Sequence, residues 1–170
     1  GYDQSGYSFS VKPRIRFSDR SLFVYRFEYS RSFNDIGYVT DSTASSGKQV
    51  IILGTRNIKN IENTIDLSFI FNPKTSISLR ARHYWFTVNY NDYYDLLDDG
   101  HLQQNDYNGN HNLSFNAFNI DMIFTWEFAP GSEFLLVYKN NIYTDNKEIP
   151  KDYFINLRDT FNNPMTNSFS

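Results

Sequence analysis

Apolar and polar residues alternate with a period of two along most of this chain, and this alternation constrains the fold more than any other feature. Tyr7, Phe9 and Val11 alternate with serines and Lys12, and residues 118–128 read FNIDMIFTWEF. Side chains at i and i+2 lie on the same side of a β-strand. No stretch keeps the i, i+3, i+4, i+7 pattern of an amphipathic helix for three turns. The sequence therefore predicts an all-β chain.

The composition agrees with alternation and excludes several classes of protein. Aromatic residues make up 18% of the 170 residues, whereas the mean hydropathy is −0.54. A disordered chain is poor in aromatic residues, so overall disorder is not expected. The chain has no cysteine, which excludes disulfides, thiolate metal sites and a cysteine nucleophile. Its net charge of −3 offers no basic surface for nucleic acid.

Tight turns and long polar connections alternate along the chain. We predict tight turns at 18–21, 72–75 and 129–132, where Pro73, Pro130 and Gly131 supply turn chemistry. The long connections are 37–48, 89–112 and 143–164. The predicted strands are 6–17, 21–38, 49–71, 75–88, 113–128, 132–142 and the start of one at 165–170. Several are longer than the roughly 9–11 residues that cross a bilayer.

Long alternating strands, short turns on one side and long loops on the other are typical of a bacterial outer-membrane barrel. The fold class predicted is a transmembrane antiparallel β-barrel. Because single-chain bacterial barrels have an even number of strands, about seven strands indicate that domain 1–170 is part of a larger barrel. The alternative is a soluble β-sandwich, whose strands also alternate.

The alternation assigns side chains to three environments of such a barrel. The lipid-facing residues predicted are Phe23, Tyr25, Phe27, Tyr29, Leu67, Phe69, Ile120, Met122 and Phe124. The aromatic girdles at the membrane interfaces are predicted to contain Phe17, Phe71, Tyr84, Trp85, Trp126 and Phe128. The lumen residues are predicted to be Arg26, Glu28, Asp66, Arg80, Arg82, Asp121 and Glu127. Charges of both signs favour an interior network over a pore lining.

Several segments resemble one protein family. They are IRFSDR (15–20), NDIGYV (34–39), NPKTSISLRARHYW (72–85), YDLLDDG (94–100), FNAFNIDMIFTWEFAPGSE (115–133) and FNNPMTNS (161–168). They are similar to the C-terminal part of the uncharacterised barrel domain that follows a carbohydrate-binding family 9-like domain in Bacteroidota outer-membrane proteins. The resemblance implies a location at the cell surface and a link to glycans through that upstream domain. It implies no catalytic residues.

Few residues suggest chemistry. His83, His101 and His111 match no zinc spacing, and no GxSxG motif is present. We therefore predict no catalytic residues and no cofactor, with a surface hydrolase as the alternative. One weak calcium candidate is Asp95, Asp99 and Asp106, at positions one, five and twelve of an EF-hand-like loop. Its third position is Leu97, which has no oxygen ligand.

The function predicted is a structural or binding role at the cell surface, in the bacterial outer membrane. The alternatives are a diffusion channel or transporter barrel, and a soluble carbohydrate-binding β-sandwich. The partners expected are outer-membrane lipid, the barrel assembly machinery during insertion, and a surface glycan. Residues 89–112 are rich in Tyr and Asn, which suits contact with a glycan.

Overall fold

A computed structural model describes residues 3–43, 49–150 and 152–170. Its strands are β1 (Ser5–Val11), β2 (Arg14–Ser18), β3 (Ser21–Thr43), β4 (Gln49–Asn72), β5 (Thr75–Leu96), β6 (Leu102–Asn105), β7 (Leu113–Ala129), β8 (Ser132–Asn146) and β9 (Thr166–Phe169). One helix, α1 (Tyr153–Phe161), precedes β9. No helix among these residues is long and apolar enough to span a membrane.

The strands form one nine-stranded antiparallel sheet, as the alternation predicts. Its order is β1-β3-β4-β5-β7-β8-β9, with β2 also paired to β3 and β6 paired to β5. Within the described ranges, no pairing joins β9 to β1 or β2, so the sheet is open. The strand β4 has 24 residues, which corresponds to a length of about 80 Å.

The three predicted tight turns are confirmed. They join β2 to β3, β4 to β5 and β7 to β8. Gly131 has a φ of 74°, the left-handed conformation that its turn requires. The side chain of Asn72 accepts a hydrogen bond of 2.9 Å from the backbone N–H of Lys74, which closes the second turn.

The boundaries of several elements differ from the prediction. The strand predicted over 6–17 is interrupted at Pro13, which has no N–H to donate to the ladder. The predicted loop 37–48 contains the end of β3 as far as Thr43, and 44–48 lie outside the described residues. The predicted loop 89–112 contains the end of β5 and the whole of β6. The long connection predicted over 143–164 contains the end of β8 and the helix α1, and no helix was predicted in this all-β chain. A nine-residue helix is too short to show a three-turn stripe.

Two shifts of register divide β3 into three parts. The register with β4 shifts between Ser32 and Asp35, and Asn34 has a φ of 53°. Phe33 and Asn34 together oppose only Asn57, and this one extra residue in β3 changes which side chains lie on each face of the sheet beyond this point. A second shift follows between Tyr38 and Thr40, so β3 consists of three separately phased parts.

The sheet buries few large apolar side chains. The buried apolar residues are Ile52, Ile61, Trp85, Val88, Ala117 and Ile142. Large exposed apolar residues are much more numerous and include Phe9, Phe17, Phe69, Phe71, Trp126 and Phe128. Among the described elements only α1 packs across strands of the sheet, so most of the sheet is a single layer.

Candidate functional site

Residues that pair in register across neighbouring strands form rows that run across the sheet, and the side chains of each row lie on one of its two faces. We call face A the face that bears the row of Phe23, Leu67, Leu79, Met122 and Tyr138. Face B bears the row of Val24, Asp66, Arg80, Asp121 and Lys139. Adjacent rows therefore differ sharply in polarity.

All nine residues predicted to face lipid lie on face A, and none of them is buried. Leu67 and Phe69 are exposed, and the rings of Phe69 and Phe71 lie 4.9 Å apart. From the tight turns upward, mainly aliphatic and aromatic rows follow one another as far as the row of Tyr29, Ile61 and Trp85. On β4 and β5 the polar exceptions are Asn63 and His83, in the row of Phe27. We call these rows the apolar band.

The residues predicted to form girdles separate into two groups. Phe17, Phe71, Trp126 and Phe128 are exposed beside the tight turns, and the rings of Trp126 and Phe128 lie 5.7 Å apart. Tyr84 lies instead on face B, where it stacks on Phe86. Trp85 lies on face A but is only 1% exposed. Neither Tyr84 nor Trp85 is therefore exposed on face A, where the upper aromatic girdle was predicted.

The helix α1 covers Trp85. The hydroxyl of Tyr153 accepts a 2.8 Å hydrogen bond from Nδ2 of Asn63 and hydrogen-bonds Nδ1 of His83 at 3.0 Å. Asn156 donates a buried hydrogen bond of 2.6 Å to Asn116. These polar residues interrupt the apolar alternation of face A. In the sequence, the polar residues Asn63, His83 and Asn116 are the signal that a polar partner packs on face A.

Two further details define the site of α1. The carboxylate of Asp152 accepts a 2.9 Å hydrogen bond from the N–H of Ile155, so it caps the helix. His83 is buried and its Nε2 has no partner among the described residues.

On the outward side of α1, Phe154 is 75% exposed and Ile155 is also exposed. An exposed aromatic ring thus lies at the upper end of the apolar band, although it comes from the helix.

Directly above the apolar band, face A becomes cationic and polar. The next row contains Arg31, Lys59, Thr87 and Ser114. The Nζ of Lys59 lies 3.7 Å from the centroid of the Trp85 ring. Burial lowers the pKa of Lys59, and the charge of Arg31 lowers it further.

All the residues predicted to face the lumen lie on face B. Asp66 pairs with Arg80 at 2.6 Å, whereas Arg26 and Glu28 approach only to 3.9 Å. A cleft of about 580 Å³ lies over the row of Asp66, Arg80, Asp121 and Lys139. Opposite charges that alternate across neighbouring strands form a cross-strand network rather than a surface of one sign.

Above this network, face B becomes aromatic and holds one further ion pair. Nε of Arg56 donates a 2.7 Å hydrogen bond to Asp35, and its Nη1 donates one of 3.2 Å to the hydroxyl of Tyr90. Burial lowers the pKa of Arg56, but these two partners outweigh burial and raise it. The guanidinium lies over Gly37, where a side chain would overlap it.

The tyrosines of the predicted glycan-contacting loop pack on one another. Tyr93 and Tyr107 have ring centroids 5.1 Å apart, and Tyr90 stacks on Tyr93 at 5.8 Å. The hydroxyl of Tyr107 hydrogen-bonds Nε2 of His111 at 2.7 Å, and that of Tyr93 donates to the carbonyl of Gly109 at 2.7 Å. These rings and hydroxyls therefore fix the conformation of the loop.

The three carboxylates of the calcium candidate have separate partners. Asp95 accepts a hydrogen bond of 2.7 Å from Asn105, and Asp99 contacts His101 at 3.1 Å. Asp106 lies beyond β6. In the part of the chain that the structure describes, no group of three or more His, Asp or Glu residues could hold a metal ion.

The fold defines a single-sheet β-protein with one face that is aromatic near the tight turns and another that is charged there. A model of the family named domain of unknown function DUF5916 matches residues 1–170, so the chain belongs to that family. No curated protein and no solved structure matches the chain.

Proposed function

We propose that this chain forms part of the wall of a bacterial outer-membrane β-barrel. In this proposal it has a structural or binding role at the cell surface and no chemistry of its own. The observation that carries the proposal is the apolar band of face A, which is bounded by a cationic and polar row. A soluble single-layer sheet with such an uncovered band would aggregate.

The height of the apolar band suits a membrane. Along β5 the band runs from Thr75 to Trp85, a step of about ten residues that spans about 33 Å along the strand. At a strand tilt of about 40°, this length corresponds to a height of about 25 Å, which is typical of outer-membrane barrels. The membrane-spanning segments we propose are residues 14–29, 61–72, 75–85, 116–129 and 132–144.

Face B supports the lumen side of the same proposal. Its charged rows lie directly behind the apolar band, so each spanning strand alternates between lipid and a polar interior. The unpaired edges of β1, β2 and β9 require further strands, since lipid leaves no water to satisfy their N–H and C=O groups. Insertion of such a wall would require the barrel assembly machinery as a transient partner.

The other functions have less support from the structure. A β-sandwich requires a second layer over face A, and among the described elements only α1 lies there. A diffusion channel is favoured by the charged cleft of face B, although the Asp66–Arg80 pair occupies part of it. Single-channel conductance of the full-length protein separates a channel from a closed wall.

The glycan link and the Bacteroidota origin rest on the sequence resemblance. Contact with a surface glycan would come from the upstream domain or from exposed amides of the upper loops, such as Asn108 and Asn110. The packed rings of Tyr93 and Tyr107 do not favour the loop as an aromatic platform for sugars.

The test is the mobility of the full-length protein from isolated outer membranes on SDS gels, with and without boiling. A heat-dependent shift in the outer-membrane fraction is expected, because a closed barrel resists SDS until it is heated. A protein that fractionates with soluble proteins and shows no shift would overturn the proposal.

A further inference from the structure

Two cations on face A face each other across neighbouring strands. Arg31 of β3 pairs in register with Lys59 of β4, one row above the apolar band. None of the ion pairs formed by the described residues includes either side chain. Like charges directly opposite each other in a sheet are destabilising. The row is therefore suited to an anion that neutralises both.

Aromatic rings hold the two cations in place. The guanidinium of Arg31 lies 4.7 Å from the centroid of the Phe33 ring, and Lys59 lies over Trp85. Such contacts fix the side chain of a cation without neutralising its charge. Since Trp85 is itself held under α1, the position of Lys59 depends on the docked helix.

A cleft opens beside the two cations. Its volume is about 270 Å³, and its lining includes Arg31, Asn57, Lys59, Thr87, Asn89 and Ile149. Apart from Ile149, these side chains offer hydrogen-bond donors, and none carries a negative charge. The cleft has room for a phosphate group, and its chemistry suits one.

We propose that Arg31 and Lys59 bind the phosphate of a phosphorylated lipid headgroup in the outer leaflet. This inference rests on the membrane location proposed above, which places their row at the level of the headgroups. The guanidinium presents two parallel N–H donors to phosphate oxygens, and the ammonium group adds a point charge. The lipid chains would then lie against the exposed side of the apolar band.

Binding of diphosphorylated lipid A to the full-length protein in neutral detergent micelles tests the proposal, with native mass spectrometry as the readout. The double variant Arg31→Gln, Lys59→Gln should bind about 20-fold more weakly, because each basic residue near an anionic lipid surface contributes several-fold. The control variant Arg20→Gln, Lys74→Gln removes the same charges in two tight turns at the opposite end of the apolar band and should bind normally. Dephosphorylated lipid A should bind the wild type and the double variant equally weakly.

Three results would overturn the inference. The first is that the Arg31, Lys59 double variant binds lipid A as tightly as the wild type does. The second is that both double variants lose the same affinity. The third is that inorganic phosphate at equal concentration displaces the lipid. The last result would identify a site for free phosphate. The heat-dependent gel shift is measured on the same proteins. Failure of binding with an intact shift rejects only the lipid site, whereas absence of the shift from the wild type rejects the membrane location as well.

Discussion

Asn156 of α1 donates a hydrogen bond of 2.6 Å to Asn116 of β7, and both side chains are buried. This bond joins the helix to face A at the upper end of the apolar band, one row above Asn63 and His83, which also contact the helix. A buried amide has no water with which to replace a lost partner, so the pair specifies where α1 docks.

We predict that Asn156→Ala destabilises the protein by about 1–3 kcal/mol, because it leaves the amide of Asn116 buried without a partner. The measurement is urea unfolding of the full-length protein folded in detergent micelles. The double variant Asn116→Leu, Asn156→Leu should recover most of the loss, and Asn108→Ala in an exposed loop serves as the control. A double variant that is less stable than either single variant would contradict the prediction.

Arginine substitutions on β7 should reveal the depth and the face of each position. Ile120 lies in the middle rows of the apolar band and Phe124 lies nearer the tight turn. We expect Ile120→Arg to cost about 2–4 kcal/mol and Phe124→Arg less, since a charge costs most at the bilayer midplane. Thr125→Arg, on face B beside Phe124, should cost least. Folding into lipid vesicles measured by the gel shift gives the order, and equal defects at Phe124 and Thr125 would reject the assignment of faces.

The two tryptophans should differ in contact with lipid. Trp126 is 47% exposed on the apolar band, whereas Trp85 is shielded by Tyr153 of α1. In vesicles of brominated lipid, we expect the variant Trp85→Phe to keep strong quenching and Trp126→Phe to lose most of it. Any tryptophan elsewhere in the full-length protein is first replaced by phenylalanine. Equal quenching of both residues would show that α1 does not cover Trp85.

Gly37 should be required only while Arg56 is present. A methyl group at Gly37 would overlap the guanidinium of Arg56 and displace it from Asp35. We expect Gly37→Ala to destabilise the protein by about 1–2 kcal/mol in urea unfolding. In an Arg56→Ala background the same change should cost almost nothing. Additive losses in this double-mutant cycle would contradict the close approach.

The sequence predicts the faces of the sheet because alternation is a geometric property of a strand. Phe23 and Asp66 can be assigned to opposite faces without knowledge of the register. The tight turns are equally local, as Gly131 illustrates. The length of β5 was underestimated, because polar residues such as Asn91 and Asp92 belong to a solvated part of the strand and read as loop.

The docking of α1 could not be predicted in the same way. Its contacts join residues about 40 to 90 positions apart, such as Asn116 with Asn156 and Asn63 with Tyr153. The cap at Asp152 was a usable local signal for the helix. The side of the sheet against which the helix packs depends on long-range pairing, which no local pattern contains.

At the bulge at Asn34, the odd-numbered and even-numbered residues of β3 exchange faces of the sheet. Below it, side chains alternate in step with the apolar band, and above it Asp35 and Gly37 join the face of Arg56. A single-residue insertion above the bulge would rephase only the outer part of the strand. The strand can therefore be treated as separate cassettes with junctions at Asn34 and between Tyr38 and Thr40, so the parts beyond the apolar band can diversify or be grafted while the part within the band keeps its frame.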